Sequence, residues 1–147
     1  MTGRLFVDTN ILIYALDPED PLKRQISADL LRQTINKRTL TLSPQSLNEC
    51  YRVLTQRKRM VPVDQARAYI RTLAPWAFAP LDGRTTERAF AVQDETGASW
   101  WDSLLLAAAL LAQCRRFISE DLQHGRDVSG MRIANPFETN FAKLITQ

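Results

Sequence analysis

The chain has 147 residues, of which 45% are hydrophobic and 24% are charged, with 19 lysines and arginines against 16 aspartates and glutamates. This composition is typical of a globular domain that forms its core without a disulfide or a structural metal. The net charge of +3 permits a nucleic-acid partner but does not require one. We therefore expect a single domain over residues 1–147.

The cysteines, the histidine and the apolar runs exclude several other classes of protein. Cys50 and Cys114 lie far apart in apolar helical patterns, where buried, reduced thiols are the usual state. A zinc site would need more closely spaced ligands, and His124 is the only histidine. The N-terminal apolar run is too short for a signal peptide, and the run at 104–112 is too short to span a bilayer. We expect a cytoplasmic protein that does not associate with membranes.

Short apolar segments alternate along the chain with segments of helical periodicity. Strands are predicted at 5–7, 39–42, 76–78, 117–118 and 131–134. Helices are predicted at 10–15, from 21 to about 36, from 44 to about 57, from about 64 to 74, from 85 to about 97, and at 100–113. Strands separated by helices predict a parallel α/β sheet with helices on both faces, a three-layer α/β/α sandwich.

Two acidic residues follow predicted strands, and two lie in predicted helices. Asp8 comes directly after the first strand, and Asp121 follows the strand at 117–118. Because ligands bind at the carboxyl ends of parallel strands, both acids are expected at the same edge of the sheet. Glu49 and Asp102 lie among small or apolar helical neighbours, where a carboxylate is costly to desolvate unless it is paired or binds a cation.

Each acid also has an ordinary structural explanation when it is considered alone. Asp8 could be a turn residue, and Asp121 could be a loop residue. Asp102 has the spacing of a capping box with Ser99, and Glu49 could lie on a solvated helix face. The four together, at these positions and without matched basic neighbours, favour a shared acidic pocket.

A cluster of carboxylates has a limited range of chemistry. Because like charges repel, such groups either take up protons or bind a hard cation such as Mg²⁺ or Mn²⁺. The typical task of that site is phosphodiester hydrolysis, in which one or two ions hold the phosphate and activate a water molecule. No serine, cysteine or histidine nucleophile is then needed, and His124 is better explained as a structural or phosphate-contacting residue than as a general base.

Four segments resemble, in this order, those of the PIN-domain ribonucleases, and specifically the VapC-like toxins of type II toxin–antitoxin pairs: FVDTNILIYA, SLNE, WWDSLLLAAAL and ISEDLQHG. The resemblance implies a five-stranded parallel sheet with the acids clustered at its C-terminal edge. It also implies Mg²⁺- or Mn²⁺-dependent cleavage of RNA, a homodimer, and a cognate antitoxin that inserts a segment into the acidic groove.

The resemblance also assigns roles to individual residues. The metal-binding and catalytic acids would be Asp8, Glu49, Asp102 and Asp121. Thr9 or Asn10 would orient water or Asp8, and Glu120 is an alternative to Asp121 as the fourth acid.

Basic and aromatic residues supply candidate contacts to RNA. The candidate phosphate contacts are Arg57, Lys58, Arg59, Arg115 and Arg116, with Lys37 and Arg38 as a further pair. The alternative explanation is that these cations only cap helix ends. Of Trp100 and Trp101, which precede Asp102, one is expected to pack in the core or an interface, and the other could stack on a base.

Two other functions are compatible with parts of the pattern. A phosphatase of the haloacid dehalogenase type would use Asp8 as its nucleophile, but it needs a second acid at the position that Asn10 occupies. A PIN-like module that binds RNA or protein without cutting would not need all four acids. We therefore predict a metal-dependent ribonuclease.

Overall fold

The structure is a computed structural model, and it describes residues 3–138. The strands are β1 (Leu5–Val7), β2 (Leu40–Thr41), β3 (Arg116–Ile118), β4 (Asp127–Val128) and β5 (Met131–Ala134). The helices are α1 (Thr9–Tyr14), α2 (Pro21–Asn36), α3 (Pro44–Arg52), α4 (Val63–Leu73), α5 (Gly83–Thr96) and α6 (Trp100–Leu111). A π-helical turn (Val53–Arg57) follows α3, and a 3₁₀ turn (Ala74–Trp76) follows α4. The single domain over 1–147 stays a prediction at both ends, because residues 1–2 and 139–147 lie outside the described range.

The strands form one five-stranded sheet in the order β2-β1-β3-β5-β4. All neighbouring strands are parallel except β4 and β5, which are antiparallel. The predicted α/β class and the predicted number of strands are therefore confirmed, while an all-parallel sheet is not observed. The antiparallel edge arises from a tight hairpin, because Ser129 (φ 49°) and Gly130 (φ 92°) have the positive φ angles that a two-residue turn requires.

The predicted strand at 76–78 is wrong, and β4 supplies the fifth strand instead. Pro75 lies within the 3₁₀ turn, and this turn directs the chain away from the extended conformation. The segment still contacts the sheet edge through two backbone hydrogen bonds, from Leu42 N to Trp76 O (2.9 Å) and from Ala79 N to Leu42 O (3.0 Å). Two bonds around one residue do not make a strand.

The sheet is buried on both faces, as a three-layer sandwich requires. Leu5 and Val7 of β1 pack in one core cluster with α1 to α4, whereas Phe6 packs in the other with α5 and α6. This alternation is the two-residue period of a strand. Phe6 stacks on Phe117 of β3 with ring centroids 5.1 Å apart. Cys50 and Cys114, one on each side, are buried free thiols as predicted.

Register places the residues after β1 and β3 side by side. Val7 pairs with Ile118, and Asp8 N donates to Ile118 O at 2.9 Å. The next residues, Asp8 and Ser119, therefore meet at the carboxyl edge of the sheet, between α1 on one face and α6 on the other. Within residues 3–138, no helix has the length and apolarity that crossing a bilayer would require.

Candidate active site

A cleft of about 250 Å³ lies at the carboxyl ends of β1 and β3. The structure brings all four predicted acids to its walls, together with other polar and apolar side chains. The lining residues are Asp8, Thr9, Asn10, Ile13, Glu49, Arg52, Val53, Arg57, Asp102, Leu105 and Asp121. Residues that are far apart in the sequence therefore form one acidic surface.

Asp8 is the most buried of the four acids, with 7% of its surface exposed. It caps the N-terminus of α1, where its Oδ1 accepts from Thr9 N at 2.8 Å, and its Oδ2 accepts from Ser119 Oγ at 2.8 Å. Burial raises the pKa of Asp8 to about 7, and the nearby charges of Asp102 and Asp121 add to the rise, while the two hydrogen bonds oppose it. The cleft therefore contains a carboxylate whose negative charge is destabilised unless a cation offsets it.

Ser119 links the first and fourth acids, a role that the sequence analysis missed. Its hydroxyl donates to Asp8 and accepts from the backbone amide of Asp121 at 3.2 Å. The signal was available, because Ser119 follows β3 as Asp8 follows β1. A buried serine at that position is well placed to orient an adjacent carboxylate.

Replacement of Ser119 by alanine is expected to raise the pKa of Asp8 further, because the hydrogen bond that favours the ionised form is lost. A hydrogen bond to a charged group is worth about 1.5 kcal/mol, so the ionisation constant should fall roughly tenfold. Carbon-13 NMR titration of the Asp8 carboxyl group in the metal-free protein measures this value. Ser27→Ala, at a buried serine on α2, is the control and should leave the titration unchanged. An unchanged Asp8 titration in Ser119→Ala would contradict the hydrogen bond.

Thr9 connects Asp8 to Glu49. Its backbone amide donates to Asp8, and its hydroxyl donates to Glu49 Oε2 at 3.1 Å. Glu49 is half-buried on α3, and its other oxygen accepts from Gln45 Nε2 at 2.9 Å. Glu49 therefore faces the cleft, and the alternative of a solvated helix face does not describe it.

Asp102 lies in the first turn of α6 and is half-buried at the cleft. Ser99 caps this helix, with its hydroxyl accepting from Asp102 N at 3.2 Å. Within residues 3–138, the Asp102 carboxylate accepts no hydrogen bond from Ser99 N in return, so the two residues do not form a capping box. The carboxylate of Asp102 is thus available to the cleft.

Asp121 and Glu120 point in different directions, although they are adjacent. Asp121 lines the cleft and accepts a hydrogen bond from Asn10 Nδ2. Glu120 accepts from Tyr14 Oη at 2.9 Å and forms an ion pair with Lys23 Nζ at 2.6 Å. Glu120 is therefore engaged away from the cleft.

Arg52 and Arg57 are the two cations that line the cleft. In an α-helix, residues five apart lie about 140° apart around the axis and would not share a face. The π-helical turn changes this spacing, since Lys58 N bonds Val53 O at 2.9 Å across five residues. Arg52 was missed by the sequence analysis, because such a turn has no simple sequence signal.

The other predicted phosphate contacts do not reach the cleft. Lys58 lies 3.9 Å from Asp17 in a separate depression, which Arg59 also lines. Arg115 and Arg116 are at the start of β3, the opposite end of the sheet from Asp121, and Lys37 and Arg38 precede β2. His124 does not line the cleft, and its Nδ1 accepts from Asn135 N at 2.9 Å.

The donor set suits a hard divalent cation, although the ligands are not gathered around one point. Within residues 3–138, no three acidic, histidine or cysteine side chains converge into a ready metal centre. Glu49 accepts hydrogen bonds from Thr9 and Gln45, and Asp121 accepts one from Asn10, so uncharged donors bind both carboxylates. The fit rests on chemistry: carboxylate oxygens are preferred ligands of Mg²⁺ and Mn²⁺, and a buried carboxylate with a raised pKa is stabilised by a nearby cation.

Comparison with known families identifies the domain. A model of the PIN domain matches residues 5–126. The chain belongs to the PIN domain family. Its fold is similar to a chain in the crystal structure of VapBC2 from Rickettsia felis bound to a DNA fragment from their promoter, with a TM-score of 0.63 and 13% identity. The match covers 89% of this chain and 97% of that chain. The comparison with curated proteins gave no match. The family and the fold implied by the sequence resemblance are thus confirmed.

Proposed function

We propose that this PIN domain is a divalent-metal-dependent endoribonuclease, and that it acts as the toxin of a toxin–antitoxin pair. The observation that carries the proposal is the cleft itself, which is lined by the buried Asp8, by three further acids and by two arginines. Membership of the PIN family supports nuclease activity. The similarity in fold to one chain of the VapBC2 structure supports an antitoxin partner.

The proposed residue roles rest on the family resemblance and on the residues that line the cleft. Asp8, Glu49, Asp102 and Asp121 would hold Mg²⁺ or Mn²⁺ at the cleft. When bound, the ion activates water and stabilises charge on the phosphate. The oxygen of the attacking water would bond to phosphorus as the bond to the leaving oxygen of the RNA breaks, and the proton that the water loses would end on that leaving oxygen.

The remaining side chains of the cleft position the reacting groups. Thr9 orients Asp8 and Glu49 through its two hydrogen bonds, and Asn10 orients Asp121. Arg52 and Arg57 would bind phosphate oxygens, because a guanidinium matches the geometry of a phosphate. In this proposal, the cleft would bind both a cation and an anion.

Cleavage of a mixed RNA pool by the purified protein tests this proposal. We expect cutting with Mg²⁺ or Mn²⁺ and none with EDTA, because the carboxylates alone provide no activated water. Cutting that continues undiminished in EDTA would contradict the metal requirement. A folded, partner-free protein that cuts no RNA under any condition would contradict the nuclease proposal.

A non-catalytic module that binds RNA or protein is the alternative function. One observation favours it: Glu49 and Asp121 are engaged by neutral donors and do not converge with Asp8 on a metal centre among the described residues. A phosphatase with Asp8 as nucleophile is less well supported, because Asn10 stands at the position of its second acid and bonds Asp121.

The fourth acid can be assigned by comparing two neighbouring variants. Asp121→Asn is expected to lower the cleavage rate by about a hundredfold, since it removes a proposed ligand from the cleft. Glu120→Gln should change the rate less than about threefold, because Glu120 bonds Tyr14 and Lys23 instead. Single-turnover kinetics at saturating Mn²⁺ measures both effects. The reverse order of effects would assign the role to Glu120.

The homodimer, the antitoxin segment in the acidic groove and a cytoplasmic location are also proposed, on the sequence resemblance. Co-expression with the neighbouring gene product, followed by light scattering of the purified complex, would determine both the partner and the stoichiometry.

A further inference from the structure

A second groove of about 470 Å³ adjoins the acidic cleft. We call it the Trp101 groove, and its lining residues are Gln45, Asn48, Glu49, Arg52, Leu81, Trp101 and Leu104. Glu49 and Arg52 line both cavities, so the two are adjacent. A ligand whose phosphate lies in the cleft can therefore extend into the Trp101 groove.

Two apolar side chains that line this groove are exposed to solvent. Trp101 is 64% exposed and Leu81 is 47% exposed, so neither belongs to the core. Trp101 directly precedes Asp102, and its backbone oxygen accepts from Gln45 Nε2 at 3.2 Å, which fixes this turn against α3. An exposed indole held beside a phosphate-binding cleft is a suitable platform for a nucleobase, which stacks on any aromatic face.

The polar wall of the groove presents hydrogen-bond acceptors. Gln45 Nε2 faces two groups that can only accept here, the Glu49 carboxylate at 2.9 Å and the Trp101 carbonyl, so the orientation of the Gln45 amide is determined. Its Oε1 accepts no hydrogen bond from the rest of residues 3–138. Asn48 similarly uses Nδ2 to bond Pro44 O at 2.9 Å, which leaves its Oδ1 available.

Arg52 supplies the connection between the two cavities. It is exposed, and within residues 3–138 its guanidinium takes part in neither an ion pair nor a side-chain hydrogen bond. A cation that lines both an acidic cleft and an apolar groove is placed to bind the phosphate between two nucleotides.

We propose that the Trp101 groove binds one unpaired base of the RNA, next to the phosphate that is cut in the acidic cleft. The base stacks on Trp101 and donates from an exocyclic amino group to the amide oxygens of Gln45 and Asn48. Adenine, cytosine and guanine carry such a group, whereas uracil does not. This inference rests on the proposed ribonuclease function and adds a specificity determinant to it.

Two experiments test the inference. The first is cleavage of an RNA pool with randomised positions, followed by sequencing of the product ends. The second is steady-state kinetics on a preferred oligonucleotide. For the wild type, uracil should be depleted at one position next to the cut. Trp101→Ala should raise KM roughly tenfold with little change in kcat and should lose this preference, because one stacked base is lost. Trp101→Phe should largely restore both properties.

Phe78→Ala is the matched control, since Phe78 is 48% exposed but packs under Arg4, which precedes β1 at the opposite end of the sheet. It should cut like the wild type. If the wild type cuts RNA while Trp101→Ala keeps its KM and base preference, the inference fails alone. Enrichment of uracil next to the cut would also overturn the inference. So would a Trp101→Ala variant that cuts RNA normally and is impaired only in binding a protein partner. If the wild type neither cuts nor binds RNA, the proposed function falls and the inference falls with it.

Discussion

Replacement of Asp8 by asparagine is expected to lower the rate of RNA cleavage by at least about a thousandfold, equivalent to roughly 4 kcal/mol of the activation barrier. Asp8 is the acid around which the cleft is built, since it is buried and shares contacts with Thr9 and Ser119. Asparagine has nearly the same shape, so the loss would reflect the missing charge. Single-turnover cleavage at one fixed Mn²⁺ concentration, chosen to saturate the wild type, measures the effect.

Asp94→Asn is the matched control, because Asp94 is an exposed aspartate on α5, away from the cleft. Its cleavage rate should equal that of the wild type. An Asp8→Asn variant that keeps more than about a tenth of wild-type activity would contradict the proposed role of Asp8.

The same substitution is expected to stabilise the metal-free protein above pH 7. Burial raises the pKa of Asp8 from 3.8 to about 7, so between these values the folded protein keeps a proton that the unfolded chain has released. The contribution of Asp8 to stability is therefore fully present below about pH 4 and is lost as the pH rises through about 7. Between pH 5 and pH 8, the wild type should lose roughly 2 to 3 kcal/mol of unfolding free energy that Asp8→Asn does not lose.

Chemical denaturation in EDTA at pH 5 and pH 8, with wild type and variant side by side, measures this difference. Addition of Mn²⁺ at pH 8 should then stabilise the wild type and not the variant, because only the ionised carboxylate gains from a bound cation. The quantity to compare is the difference in unfolding free energy between the wild type and Asp8→Asn. If this difference is the same at pH 5 and pH 8, the Asp8 carboxylate is not destabilised by its burial.

Much of the site could be predicted from the sequence because strand ends and parallel topology are local and general features. Asp8 and Asp121 follow β1 and β3, and the rule that parallel strands end at one edge places them together. Glu49 and Asp102 could be predicted because a carboxylate among apolar helical neighbours needs an explanation. The structure brings all four to one cleft.

Other features depend on geometry that the sequence does not display. Arg52 and Arg57 share a face only because a π-helical turn follows α3, and helical periodicity assumes 3.6 residues per turn. The position of Arg115 and Arg116 relative to the acids was also not visible in the sequence. They are adjacent to an apolar strand in the sequence, but they lie at its start, away from the acids.

The sequence also could not decide which of two adjacent acids lines the cleft. Glu120 and Asp121 differ by one position, and only the side-chain partners Tyr14 and Lys23 distinguish them. The strand at 76–78 was predicted from aromatic and apolar residues, but Pro75 makes a 3₁₀ turn there. The strand β4 was not predicted, because it has just two residues. The sequence feature that could have indicated it is the hairpin turn at Ser129 and Gly130.

A calorimetric titration of Mn²⁺ into the metal-free protein at pH 8 determines whether the four carboxylates act as one metal centre. We expect saturable binding to the wild type, loss of that binding in Asp8→Asn, clear weakening in Asp121→Asn, and unchanged binding in Glu120→Gln. Saturable binding that survives Asp8→Asn, or a wild type that binds no Mn²⁺, would contradict a metal-dependent site at this cleft.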